Sequence, residues 1–187
     1  IVVVAKNDRA HEALTQQFKE RSTHRIYYAL CLGASPTLSG TIKSYLARHP
    51  VDRKKYASIL GSNKKPLTEL DEVPEFGKWA ITHFECLKRH KNFSYMKLKL
   101  ETGRTHQIRI HLSEQGLPIV GDNLYGADRK IKIISAHETV TEIKNLTRFL
   151  LHAAELGFTH PTTKERMFFT APWPKQDEDL LRKWGVL

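Results

Sequence analysis

The chain contains 187 residues, a length that suits a single domain with a sizeable hydrophobic core. Its 30 lysines and arginines outnumber 20 aspartates and glutamates, and the formal net charge of +10 favours a polyanionic partner. No secretory pattern is present, and no apolar run approaches the roughly 18 residues of a membrane span. The two cysteines, Cys31 and Cys86, lack a CxxC spacing. We therefore predict a cytoplasmic protein with free thiols and no membrane association.

The chain opens on a β-branched run, residues 1–5, which predicts a buried strand. It opens abruptly, without a methionine or a polar lead, so we expect residues 1–187 to form one domain that is incomplete at its N-terminus. Asn7 and Asp8 then signal the start of a helix, because apolar residues follow at helical spacing as far as Phe18.

Several later segments have the composition and alternation of strands. They are residues 25–32, 77–87, 94–100 and 168–174, and residues 177–184 can form a terminal helix. Tyr27 and Tyr28 are adjacent in the first of these strands, so they must face opposite sides of the sheet. These elements predict an α+β fold with a mixed, mostly antiparallel sheet, flanking helices and a cleft across the sheet.

A basic loop is predicted at residues 48–55, where arginine, histidine and lysine residues accompany one acid. Such a cluster can be a solvated surface, but we favour an RNA-facing loop in which Arg48, Arg53 and Lys54 contact the phosphate backbone.

The stretch ETGRTHQIRIHL, residues 101–112, is the densest cluster of polar chemistry in the chain. Its alternation predicts a strand that sends Ile108 and Ile110 to one face and Arg109 and His111 to the other. An exposed polar strand face is the plain alternative. His106 and His111 also invite a metal hypothesis, but a strand would place them on opposite faces, and no HExxH pattern is present, so no metal ligand is predicted.

This stretch, followed by GLPIVGD and YG, resembles the hallmark block of the RluA-type RNA pseudouridine synthases. Other segments resemble further blocks of that family: RIYYAL, RHPVDRKK, LLHAAEL and FTHP. The resemblance covers most of the chain. It implies a pseudouridine synthase-like fold with a central RNA-binding cleft. It also implies isomerisation of uridine to pseudouridine in RNA without a cofactor, most often in ribosomal RNA of the large subunit, although transfer RNA is a target of the same fold. We further expect a monomer.

The same resemblance implies roles for individual residues. Arg109 would pair with the nucleophilic carboxylate, Tyr27 would stack on the uracil or handle its proton, and Leu151 would form an apolar wall of the base pocket. Arg104, His106 and Gln107 would orient the motif and contact RNA.

The family's nucleophile is an aspartate in an HRLD-type motif just before the first strand, and this sequence contains no such motif. Asp8 lies beyond that strand, at the helix start, and does not replace it. We therefore expect this chain by itself to be inactive and the complete protein to be active.

Two other classes of function remain open. A non-catalytic RNA-binding module would keep the basic surface but not the uracil pocket. A metal-dependent nuclease or hydrolase would be built on the histidines, and metal content would reveal it.

Overall fold

The computed structural model describes residues 1–69 and 71–187. Within these residues, seven strands form one sheet in the order β3-β2-β4-β5-β1-β6-β7, and all neighbouring strands run antiparallel. The strands are β1 (His24–Leu32), β2 (Ser39–Arg48), β3 (Tyr56–Ser58), β4 (Lys78–His90), β5 (Phe93–Leu100), β6 (Leu151–Thr159) and β7 (Arg166–Thr170). This confirms the predicted α+β class and its mostly antiparallel sheet.

Helices cover the sheet. They are α1 (Asp8–Lys19), α2 (Gln107–Glu114), α3 (Ala127–Lys130), α4 (His137–Lys144) and α5 (Lys175–Lys183). Asn7 begins α1 as predicted, because its side chain accepts a hydrogen bond from the Ala10 backbone N–H at 2.9 Å. The predicted terminal helix is also confirmed, as α5.

Strand β1, which lies between β5 and β6, separates two clusters of the core. Ala29 and Cys31 pack on the side that receives Ile108 and Leu112 of α2, which we call the α2 face. Leu30 and Leu32 alternate with them and pack on the side covered by α3, α4 and α5, which we call the α5 face. Tyr27 packs on the α2 face, while Tyr28 packs on the α5 face and stacks on Tyr95 with ring centroids 5.6 Å apart. The prediction that the two tyrosines face opposite sides is therefore confirmed.

The predicted strand at residues 1–5 is wrong. Val3 and Ala5 do pack against the cluster formed by Leu14 of α1 and its neighbours, but Val2 and Val4 remain 83% and 75% exposed. This segment pairs with no strand of the sheet. One side of it therefore packs on the protein, and the other side faces solvent.

The predicted strand in the hallmark stretch is also wrong, because residues 107–114 form helix α2. Ile108 and Leu112, four residues apart, pack on the α2 face of the sheet, whereas Ile110 packs into a separate cluster with Leu46 of β2. The helix is thus buried on two sides. Apolar residues on two sides of one helix produced the alternation that suggested a strand.

Candidate active site

The turn before α2 is held by a buried glutamine. Gln107 is 2% exposed, and its side-chain oxygen accepts hydrogen bonds from the Thr102 hydroxyl at 2.8 Å and the Arg104 N–H at 3.0 Å. Its side-chain NH2 donates to the Ile81 carbonyl and the Thr82 hydroxyl, both at 2.9 Å. Because the amide makes four hydrogen bonds within the protein, it has no group left for RNA. Gln107 thus holds the turn before α2, and its amide offers no free hydrogen-bonding group for the RNA contact that we expected.

His111 lies beneath the helix and not on an exposed face, which corrects the predicted pairing with Arg109 on one polar surface. It is fully buried, with Nδ1 2.8 Å from the Thr82 hydroxyl and Nε2 3.1 Å from the Ser44 hydroxyl. Ser58 continues the network by donating to Ser44 or to the Glu114 carboxylate. Burial lowers the pKa of His111 to about 4, so the ring is neutral at physiological pH and serves the fold.

Arg109 projects from α2 into a buried ion pair that sequence reasoning missed. Its Nε donates to Oδ2 of Asp122 at 2.7 Å and its Nη2 to Oδ1 at 2.8 Å. The guanidinium lies between two aromatic rings, 4.7 Å from the centroid of Tyr125 and 4.5 Å from that of Phe149. Asp122 belongs to the GD pair of the hallmark block, but the sequence pattern gives no sign of its partner. The pair fixes the guanidinium, and Nη1 makes no hydrogen bond to any described residue.

His106 connects this pair to strand β3. It adopts a left-handed backbone conformation, with φ of 57°, immediately before α2. Its Nδ1 lies 2.8 Å from the Tyr125 hydroxyl, which also accepts a hydrogen bond from the Tyr56 N–H at 3.0 Å. Burial and the nearby Arg109 charge lower the pKa of His106, while Asp122 opposes them. The imidazole is therefore a neutral, half-buried group beside Arg109.

Tyr27 and Leu151, which we expected in one site, lie on the same face of the sheet. In the β1–β6 ladder Tyr27 pairs with Ala153 and Ala29 pairs with Leu151, so Tyr27 and Leu151 are diagonal neighbours on one face. Tyr27, Leu151 and Phe149 all pack against the core cluster on the α2 face, and the Arg109 guanidinium lies over the Phe149 ring. Burial raises the pKa of Tyr27, opposed by the charge of Arg25. A phenol with a raised pKa stays protonated near neutral pH.

Arg25 is a second buried guanidinium at this site, and no motif or spacing in the sequence marks it. It is 6% exposed, lies 5.3 Å from the Phe18 ring centroid and donates from Nη2 to the Glu101 carbonyl at 3.2 Å. A side chain at Gly103 would meet Arg25, because a Cβ there would lie 2.8 Å from Nη1. Across residues 1–69 and 71–187, Arg25 forms no ion pair with a carboxylate, and its Nε has no hydrogen-bond partner. A buried, unpaired guanidinium is costly, so an anion at this point would stabilise it.

A cavity of about 450 Å³ opens where β2 ends, β4 begins and the turn before α2 passes. Arg48 and Arg104 both line it, so the structure brings together two of the predicted RNA contacts. Arg104 is anchored by a hydrogen bond from Nε to the Trp79 carbonyl at 3.0 Å. Arg53 and Lys54 are exposed in the loop after β2 and do not line this cavity.

Among the residues that the structure describes, no group of three or more histidine, cysteine or acidic side chains is arranged to hold a metal ion. Both histidines of the metal hypothesis have other partners, as described above. In the same residues, no helix is long and apolar enough to cross a bilayer.

The chain is similar to known proteins over nearly its whole length. The RNA pseudouridylate synthase family matches residues 1–114. The ribosomal large subunit pseudouridine synthase D of Pseudomonas aeruginosa is 38% identical over 175 residues, which cover 94% of this chain and 50% of that protein. The enzyme of the same name from Zymomonas mobilis is 38% identical over 183 residues, covering 98% and 51%. The chain thus spans about half the length of the curated relatives it matches.

Solved structures agree. The human RNA pseudouridylate synthase domain containing 1 aligns with a TM-score of 0.68 and 25% identity, over 98% of this chain and 74% of the human one. The human domain containing 4 aligns with a TM-score of 0.72 at 17% identity, which supports the fold. The seven-stranded antiparallel sheet with its helices is thus the α+β architecture of the pseudouridylate synthase domains with which the chain aligns. The chain belongs to the RNA pseudouridylate synthase family.

Proposed function

We propose that residues 1–187 are the catalytic domain, incomplete at its N-terminus, of an enzyme that isomerises uridines to pseudouridine in large-subunit ribosomal RNA. The family match supports the reaction, and the names of the bacterial relatives support the RNA. The observation that carries the proposal is the guanidinium of Arg109, fixed beside the face that presents Tyr27 and Leu151. As part of the proposal, the protein acts in the cytoplasm as a monomer.

The reaction breaks the bond between ribose C1′ and uracil N1, turns the uracil and joins C1′ to C5. The proton lost from C5 is balanced by one gained at N1, so the product is an isomer. The target base must leave its stack to be reached, and that costs a few kcal/mol. Leu151 would pack against the extruded base, and Tyr27 would stack on it or donate a proton, because its raised pKa disfavours the phenolate.

The proposal needs a carboxylate nucleophile, and we infer that residues preceding Ile1 supply it. Two observations support this position. The backbone nitrogen of Ile1 lies 3.1 Å from the Ala153 carbonyl oxygen, and Ala153 is the ladder partner of Tyr27, so residues attached to Ile1 would approach the sheet near Tyr27. The guanidinium of Arg25 is buried near Tyr27 without an acid partner in the described residues. Nη1 of Arg109 would then hold the carboxylate, while Asp122 holds the rest of the guanidinium.

The test uses the full-length protein and large-subunit ribosomal RNA transcribed with [5-³H]uridine. Isomerisation releases tritium, because C5 loses its hydrogen when it bonds to C1′. We expect single-turnover release by the full-length protein and none by residues 1–187. Release that is absent from the full-length protein while RNA binding persists would favour the non-catalytic RNA-binding module. Tyr27→Phe keeps the aromatic ring but removes the hydroxyl group. If this variant still releases tritium, Tyr27 acts by stacking on the base; if release is lost, the Tyr27 hydroxyl transfers a proton.

A further inference from the structure

The cavity between Arg48 and Arg104 has a composition that the proposed reaction does not explain. Among the residues that the structure describes, three cations line it, Arg48, Lys78 and Arg104, together with the aromatic rings of Tyr56 and Phe76, and no carboxylate does. These cations repel one another, and a bound anion would offset that repulsion. The lining therefore predicts a negatively charged ligand.

The two aromatic residues add a second requirement. Phe76 is 67% exposed, an unusual state for a large apolar ring. It is followed by Gly77 at φ of +105°, a conformation that favours glycine and turns the chain directly after the ring. Tyr56 also lines the cavity, and the Arg48 guanidinium lies 5.8 Å from its ring centroid. An exposed ring beside three cations suits a ligand that has both a flat face and a negative charge.

A single nucleotide unit meets both requirements. Its base can stack on an aromatic ring, and its phosphate can accept hydrogen bonds from arginine. The volume of about 450 Å³ falls within the range of roughly 300–1,000 Å³ that is typical of small-ligand sites. The cavity also includes Gly103 and Thr105 of the turn that leads into α2, so its occupant would belong to the same RNA that reaches Arg109.

We propose that this cavity binds an unpaired nucleotide close to the target uridine, with its base on Phe76 and its phosphate against Arg48 and Arg104. This rests on the proposed function, since it assumes an RNA substrate. The site would make the protein prefer RNA in which a nucleotide near the target is free to leave the helix. Specificity at this position would come from strand structure more than from base identity, because every base has a face to stack.

The experiment measures binding of fluorescein-labelled U10 RNA to the chain by anisotropy, at low and physiological salt. Phe76→Ala removes the stacking ring and is compared with Phe169→Ala, which removes a ring that is 42% exposed on the edge strand β7. We expect Phe76→Ala to weaken binding about tenfold, Phe76→Tyr to keep it, and Phe169→Ala to leave it unchanged. Because no cation is removed, the salt dependence of Phe76→Ala should match that of the unchanged chain, whereas Arg48→Gln should lower the salt slope by about one.

A direct readout separates stacking from an indirect effect. In a Phe76→Trp variant, U10 should quench the added tryptophan fluorescence, and a duplex of U10 with A10 should quench it much less. Equal affinity of the Phe76→Ala and Phe169→Ala variants, or no quenching by U10, would overturn the proposed site. Either outcome would overturn only the nucleotide site. The proposed function would stand if the full-length protein without substitutions still binds RNA and releases tritium. Loss of those two activities would instead overturn the proposed function.

Discussion

Arg109 and Asp122 form a doubly hydrogen-bonded ion pair in which Asp122 is 1% exposed and Arg109 13%. The arginine comes from α2 and the aspartate from the loop that follows it, so the pair ties the hallmark helix to the segment that precedes Tyr125. The arginine that we expect to face the nucleophile is therefore already held by a second acid. A guanidinium fixed in this way is oriented before any substrate arrives.

Asp122→Asn should destabilise the fold by about 3 kcal/mol, because removing one partner of a buried ion pair leaves the other charge uncompensated. Urea unfolding of residues 1–187 at pH 7 measures this. Asp179→Asn is the matched control, since Asp179 pairs with Lys175 on the exposed side of α5, and it should cause no measurable change. Equal stability of both variants would show that the Arg109–Asp122 pair does not hold the loop.

Arg109→Lys should lower the single-turnover rate of the full-length protein by about 100-fold or more, since a misplaced catalytic group commonly costs that much. Lysine keeps the charge but cannot engage Asp122 at two atoms and the nucleophile at a third. The RNA dissociation constant should change little, because attraction to phosphate is spread over many cations. Arg53→Lys serves as the control and should leave both quantities unchanged. If Arg109→Lys loses rate and affinity in equal measure, Arg109 is a backbone contact.

Stability should fall as the pH is lowered through the titration range of His111. Its pKa is about 4 in the fold against an ordinary value of 6.5, so the unfolded chain binds the extra proton first. Between pH 6.5 and 4 each step down favours the unfolded state, with a total loss of about 3 kcal/mol.

Urea unfolding at pH 7, 6, 5 and 4.5 follows this loss, and the slope should flatten in His111→Gln even though that variant is less stable throughout. His11→Gln is the control, because His11 is exposed on α1, and it should keep the original slope. An unchanged slope in His111→Gln would assign the pH dependence to other groups.

RNA binding should depend strongly on salt, given the net charge of +10. Several phosphate contacts should cost orders of magnitude in affinity between about 50 and 200 mM salt. The double variant Arg53→Gln, Lys54→Gln should reduce the salt slope by about two, whereas Lys175→Gln, 89% exposed on α5, should not change it. Binding that is insensitive to salt would refute an RNA-facing role for the basic loop.

The sequence allowed β1, β4, β5 and part of β7 to be predicted, and with them the opposed faces of Tyr27 and Tyr28, because alternation follows directly from strand geometry. It did not predict β2, β3 or β6. The hallmark stretch misled the same reasoning. In Ile108, Ile110 and Leu112 an apolar period of two arose from a short helix with two buried sides, and no local pattern separates these cases. Partners distant in sequence were also beyond reach: neither Asp122 beside Arg109 nor Arg25 beside Gly103 can be inferred without the fold that brings them together.

The position of β1 in the sheet has a consequence for the order in which the protein assembles. The β4–β5 hairpin closes through two residues, Lys91 and Asn92, so it can form early and locally. β1 must wait for β5, which begins more than sixty residues later at Phe93, and then for β6 at Leu151. Such distant pairings are closed late, since loop entropy must first be overcome. We therefore expect Tyr27 to reach its place beside Leu151 late in folding, so a chain stalled before that step would expose its basic surface before these two side chains meet.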